Sequence, residues 1–378
     1  PPFNSKSKNN NNNNNLTSST RPKIFQFDDI ERITQDPIFD LNLIEAIADG
    51  FCDFSNGNFN LCPIQTIGAP PMAPLNVLQN SNDDESKEKK YCAQVCIKSG
   101  YITNDKYFVI KVASGGHPLE NSGLIQLFSQ STGRLVALLM DEGILTELRT
   151  AAVGAVAVKY LGPTKIQRIG MIGTGIQARY QLRYLKHVTD CRNLILWGRN
   201  SDRVEALKRD LLVNNNNNDD NDKWDINFAQ TTGEILDSCD VIITTTCARE
   251  ALINKLNDGN NNKNKSTVIV CIGSNSIGKQ ALGIDLVRNA DVLVCDSILQ
   301  TQERGENQHA IRNKDIKIED IKELGDVLLH LAKKNKEKNN STTATTNNPK
   351  LTIFDSSGVA VQDYVVAKMV YESLLSER

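Results

Sequence analysis

Twelve residues constrain this chain more than any others. In Gln167-Arg168-Ile169-Gly170-Met171-Ile172-Gly173-Thr174-Gly175-Ile176-Gln177-Ala178 an apolar run ends on Gly-x-Gly-x-x-Ala and passes into a helical pattern carried by Tyr180, Leu182, Tyr184 and Leu185. That is the form of a strand-turn-helix that binds a dinucleotide. Gly173 permits the tight turn, Gly175 lets backbone approach a pyrophosphate, and Ala178 lets the helix lie close to the strand. The helix N-terminus offers unpaired N–H groups to the phosphates. Gly173, Thr174, Gly175, Ile176 and Gln177 are therefore the expected pyrophosphate contacts.

Apolar strands follow at intervals over 193–200, 226–229, 240–246, 267–273 and 290–295, with helical stretches between them. Such alternation requires a parallel sheet covered on both faces, so the fold class is α/β, with a doubly wound Rossmann sheet. Upstream, an amphipathic helix is expected over 40–48 and strands over 91–98, 107–112, 124–129 and 134–140. Gln130-Ser131-Thr132-Gly133 supplies hairpin chemistry between the last two strands. An alanine-rich helix, with Thr146 as its N-cap, runs through Leu161 as a linker between two domains. A chain of 378 residues is too long for one ordinary core. Residues 1–22 form an Asn-rich tail too polar to fold, and the Asn-rich tracts at 214–218, 257–264 and 337–348 mark exposed loops.

The formal net charge of −2, with no basic stripe, gives no footprint for nucleic acid. No apolar stretch reaches the roughly 18 residues of a membrane span and no signal segment opens the chain, so a cytoplasmic protein is expected. The nine cysteines show no C-x-x-C spacing. Four of them, Cys239, Cys247, Cys271 and Cys295, lie in or beside apolar runs, which suits reduced thiols. His117, His187, His309 and His330 show no ligand spacing, so no metal site is expected.

The tip of the second Rossmann strand reads the adenosine ribose. An acidic residue about 20 positions past the motif would accept a free 2′-hydroxyl; this chain has Arg199 and Asn200 there. A guanidinium suits a 2′-phosphate, so NADP(H) is preferred over NAD(H). Thr246 and Cys247, past the fourth strand, sit at a carboxyl end where backbone contacts cofactor. In the first domain Lys111 interrupts an apolar β run, and a lysine there either snorkels to solvent or faces a polar site. Arg149, in the first turn of the linker helix, could clamp a carboxylate in bidentate fashion. His117, beside Pro118 in a loop near Lys111, is a candidate substrate contact. Arg304 and Glu306 read as a structural ion pair.

Four linked motifs resemble the ornithine cyclodeaminase/mu-crystallin family. They are Asp141-Glu142-Gly143-Ile144-Leu145-Thr146-Glu147-Leu148-Arg149-Thr150-Ala151-Ala152, the Gly173-x-Gly175 turn, Val270-Cys271-Ile272-Gly273-Ser274-Asn275-Ser276-Ile277-Gly278-Lys279-Gln280, and Asp355-Ser356-Ser357-Gly358-Val359-Ala360-Val361-Gln362-Asp363. The resemblance implies a Rossmann domain (151–349) inserted into an α+β substrate-binding and dimerisation domain (23–150 plus 350–378). It implies a homodimer acting on a small amino-acid-derived substrate. It also implies Lys111 and Arg149 as carboxylate-binding and acid/base residues, and places Ser357 and Gly358 near the nicotinamide.

Two departures from the family pattern matter. Deaminating members carry an Asp that assists proton removal where this chain has Asn275, and relatives usually carry Arg where it has Gln65. An amide takes up no proton at neutral pH. The reading is therefore an NADPH-dependent reductase of small cyclic ketimine carboxylates, with Asn275 offering hydrogen bonds. The alternatives are ornithine cyclodeaminase and a non-catalytic NADPH-dependent binding protein.

Overall fold

Two β-sheets divide the chain in a computed structural model that describes residues 21–68, 94–115, 122–213, 222–254, 265–338 and 349–377. His117, the tail through residue 20, the Asn-rich tracts at 214–218 and 257–264, and 339–348 of the last tract lie outside the described residues.

The first sheet contains β1 (Lys23–Phe25), β2 (Phe59–Leu61), β3 (Gln65–Gly68), β4 (Gln94–Ile102), β5 (Tyr107–Gly115), β6 (Gly123–Ser129) and β7 (Leu135–Leu139). Its order is β1-β7-β6-β5-β4-β2, with β3 also paired to β4. All pairings are antiparallel except β1 with β7. Alternation sets the faces: Tyr107, Val109 and Lys111 of β5 are buried on one side. The expected strand over 91–98 instead runs on through Ile102, which makes Lys98 a mid-strand residue directly opposite Lys111.

The second sheet contains β8 (Ile169–Ile172), β9 (Asn193–Trp197), β10 (Asp225–Phe228), β11 (Val241–Thr244), β12 (Thr267–Cys271), β13 (Val292–Cys295), β14 (Ile321–Glu323) and β15 (Leu351–Asp355). They are parallel in the order β10-β9-β8-β11-β12-β15-β13-β14. The order reverses between β8 and β11, the topological switch point where such sheets take ligands at their carboxyl ends.

The last strand and the helix after it reach both sheets. β15 lies inside the parallel sheet, between β12 and β13, while the Ala360–Ser376 helix after it packs on β4 and β5. All five residues of β15 are buried, and a strand buried on both faces belongs in the middle of a doubly covered sheet. Segment 350–378 is thus shared between the two sheets.

The linker helix spans Ile144–Leu161 and starts two residues before Thr146. Gly143 (φ 91°) turns the chain and the Asp141 carboxylate accepts from Leu145 N at 3.1 Å, so Asp141 takes the capping task expected of Thr146. Residues 151–158 are all buried. A Cβ on Gly154 would lie 2.0 Å from Gln181 Oε1, so the absence of a side chain lets the Ile176–Leu185 helix settle against the linker. Among the described residues, no helix is long and apolar enough to cross a membrane, and the eight described cysteines are free.

Candidate active site

Lys111, Arg149, Gln177, Asn275, Ser357 and Gly358 line one cavity of about 380 Å3 between the sheets. They arrive from five elements: β5, the linker helix, the cofactor helix, the loop after β12, and the loop after β15, which carries both Ser357 and Gly358. Lys98, Glu147, Thr66 and Arg304 also stand on the wall, though the sequence did not mark them as site residues. Gln65 is exposed on β3, and it is its neighbour Thr66 that faces the cavity. Successive strand residues point to opposite faces.

The charged centre is a buried cluster. Asp363, in the first turn of the Ala360–Ser376 helix, receives Lys111 Nζ at 2.7 Å and lies 3.1 Å from Arg149 Nε. Arg149 Nη1 donates to Gln362 Oε1 at 2.6 Å, and Lys98 Nζ donates to the Gly358 carbonyl at 2.6 Å. Burial alone would raise the Asp363 pKa, but Lys111, Arg149 and Lys98 outweigh it and hold the carboxylate below its ordinary range. Burial, reinforced by Arg149, pushes Lys111 down against the pull of Asp363. Burial and the charges of Lys111 and Arg149 push Lys98 down to about 7. Burial raises Glu147. The cluster can therefore hold an anion and trade protons near neutrality.

A second buried carboxylate holds the loop after β15. Asp296, just past β13, accepts from Ser357 Oγ at 2.8 Å, Ser356 Oγ at 3.1 Å and Gly358 N at 2.7 Å. Behind it Asp355 accepts from Thr301 Oγ1 at 2.5 Å and Asn307 Nδ2 at 3.1 Å. Burial, with help from the charges of Glu306 and Asp296, raises Asp355 from the ordinary 3.8 to about 8. The unfolded chain loses that proton first, so this group removes stability as pH rises from about 4 to about 8. Asp355→Asn stays neutral and is expected to gain on the wild type between pH 5 and pH 8 by on the order of a few kcal/mol. Denaturation curves at the two pH values check it. Glu306 does not serve Arg304: it accepts from Ser274 Oγ and from the amides of Ala281 and Leu282, while Arg304 lines the cavity.

The nucleotide side fits a dinucleotide. Gly173 has φ 121°, and a Cβ there would lie 2.5 Å from Thr245 Oγ1. Gly175 caps its helix without a side chain, which leaves the first-turn N–H groups to a phosphate. A recess of about 220 Å3 beside it is lined by Thr174, Arg199, Asn200, Arg203, Thr246 and Cys247, among others. Thr246 Oγ1 is buried there without a hydrogen-bond partner. A trough of about 1110 Å3 shares Cys247 with the recess and Glu147 and Asn275 with the cavity, so the three form one path for an extended ligand.

Three cofactor-side expectations shift in detail. Asn200 Oδ1 accepts from Arg203 N at 2.9 Å and so caps its own helix. Arg203 joins Arg199 at the recess. Gln177 Nε2 donates to the Glu147 backbone and carboxylate, tying the cofactor helix to the linker, and Ile176 is half exposed in the trough. Gly175→Ala has ordinary φ and no atom within 4 Å of the new Cβ. It is expected to melt with wild type yet bind NAD(P)H about tenfold more weakly, about 1.4 kcal/mol, as a fluorescence titration would read. Among the described residues, no cluster of three or more His, Cys, Asp or Glu could hold a metal ion.

A profile of the ornithine cyclodeaminase/mu-crystallin family matches residues 114–378. The chain belongs to this family. It is an enzyme of the class of NAD(P)-dependent reductases and cyclodeaminases. An uncharacterized cyclodeaminase of Sinorhizobium fredii is 31% identical over 343 residues, 88% of this chain and 91% of the relative. The Thermococcus litoralis Δ1-pyrroline-2-carboxylate reductase, solved with NADH and L-proline, has a TM-score of 0.73 at 22% identity, covering 94% of this chain and 98% of that one. An archaeal alanine dehydrogenase dimer with bound NAD also has a TM-score of 0.73, at 23% identity over 94% of this chain and 97% of that one. These two likenesses show the same fold. The segment ending on Gln362-Asp363 supplies the carboxylate under the lysine–arginine cluster.

Proposed function

We propose that this enzyme is an NADPH-dependent reductase of small cyclic ketimine carboxylates, such as pyrroline- or piperideine-2-carboxylate, giving proline or pipecolate. The observation that carries the reading is Asn275. It lines the cavity with its Oδ1 accepting from Lys279 Nζ at 2.8 Å. Deamination of an α-amino acid needs a group that takes up a proton, and an amide does not. Reduction needs no such base. A bound nicotinamide supplies the hydride. The chain supplies cations for the substrate carboxylate and a lysine at the imine, held in a cavity that fixes their geometry.

Purified protein is expected to oxidise NADPH with at least one of the two imines and to form no proline from ornithine. Proline and ammonia from ornithine with catalytic cofactor would overturn it in favour of cyclodeamination. Cofactor binding without turnover of any imine or amino acid would favour a binding protein.

The NADP(H) preference rests on Arg199, now joined by Arg203 at the recess; the two solved relatives hold NAD and NADH. Arg199→Ala is expected to weaken NADPH about tenfold, as loss of one charge-assisted contact would, and to leave NADH unchanged. Tighter binding of NADH than NADPH by the wild type removes the preference. A homodimer, as in the alanine dehydrogenase, is the proposed assembly, and light scattering on the purified chain tests it.

A further inference from the structure

Lys98 is 9% exposed on the cavity wall, one strand over from Lys111. Its hydrogen bond goes to a neutral acceptor, the Gly358 carbonyl, whereas Lys111 and Arg149 both lie against Asp363. A Cβ built on Gly358 would lie 3.0 Å from Arg149 Nη1, 3.1 Å from Lys98 Nζ and 3.3 Å from Arg149 Nη2. Two cations from different elements therefore border the same small space beside a glycine. The ionisable groups acting on Lys98 are Lys111, Arg149, Asp363 and Cys96, while Lys111 also acts on Glu147 and Asp141. Asp363 is the one carboxylate among the groups acting on Lys98, and it is already shared by two other cations. A buried cation without its own counter-ion is costly and gains most from an anionic ligand.

We propose that Lys98 and Arg149 together hold the substrate's carboxylate beside Gly358, which leaves Lys111, fixed by Asp363, to face the imine nitrogen. The assignment rests on reading the cavity as a site for an imine carboxylate. It makes binding pH-dependent. Burial and the neighbouring cations hold Lys98 near 7 in the free protein, and a carboxylate in contact favours the charged amine. Above that pH, binding takes up a proton and affinity falls with rising pH.

The probe is pyrrole-2-carboxylate, a planar ring carboxylate with no imine to reduce. It is titrated by calorimetry into the full chain with saturating NADPH, at pH 6, 7 and 8, in two buffers of different ionisation enthalpy. Wild type is expected to lose affinity toward about tenfold per pH unit above 7 and to take up close to one proton at pH 8. Lys98→Arg, which stays charged, is expected to bind without proton uptake and with flat pH dependence. Lys98→Met is expected to bind about 10- to 100-fold more weakly at pH 6. Wild-type affinity that is flat in pH with no proton uptake overturns the assignment, and so does Lys98→Met binding as tightly as wild type at pH 6. Wild type that never binds the probe overturns the assignment together with the reading of the cavity. The expected pH signature without turnover of any imine upholds the assignment and rejects the reductase.

Discussion

Replacing Asp363 with alanine is expected to lower the folding stability by about 3–5 kcal/mol and to abolish turnover. The carboxylate is 1% exposed and sits under Lys111 and Arg149, with Lys98 near enough to feel its charge. Without it, three cations share a buried wall with no counter-ion of their own. Denaturant unfolding, with activity in parallel, measures both effects. Asp363→Asn keeps the volume and removes the charge, so it separates lost electrostatics from a lost packing volume. A second substitution, Lys111→Met, in the Asp363→Ala background is expected to restore part of the stability, since adjacent charged partners are not additive. A stability loss under about 1 kcal/mol for Asp363→Ala would show that water screens the cluster, contrary to its burial.

The second large effect is expected at Gly358. Its φ is 80°, where a side chain is strained, and the new Cβ of Gly358→Ala would press on the ends of Arg149 and Lys98. Both are the far ends of flexible side chains, so the fold can yield. The strain is expected to cost about 1–2 kcal/mol. The larger cost falls on function, because the space between the two cations is where an anion would sit. A fall in kcat/KM of about 100-fold, about 2.7 kcal/mol, is expected, carried mainly by KM, with cofactor affinity within a few-fold of wild type. If kcat/KM is unchanged while stability falls, Gly358 serves the backbone alone.

Much of the architecture was legible because it rests on local patterns. The Gly173–Ala178 turn carries its glycines at fixed spacing, and the strands of the parallel sheet are apolar runs that need no partner to be seen. Arg149 could be placed because it sits near the start of a helix whose alanines announce close packing. What the sequence hid depends on register and on distant partners. Lys98 reads as the polar tip of a strand that should end there; only the pairing of β4 with β5 sets it opposite Lys111. Thr66 rather than Gln65 faces the cavity for the same reason, since a shift of one residue exchanges the faces. Asp363 is 252 positions from Lys111, and nothing in local periodicity links the two. Asp296 ends an apolar strand as any loop carboxylate might, and its task appears only when the loop after β15 folds over it.

The position of β15 sets the order in which the molecule can be assembled. The strand that pairs with both β12 and β13 comes after every other described strand of the sheet in chain order, and the helix that carries Gln362 and Asp363 follows it. A nascent chain therefore emerges with a gap in its parallel sheet, and β12 and β13 wait with unpaired edges. Neither wall of the cavity is complete until the last of these residues have left the ribosome. The same short stretch of chain that fills the parallel sheet also finishes the site.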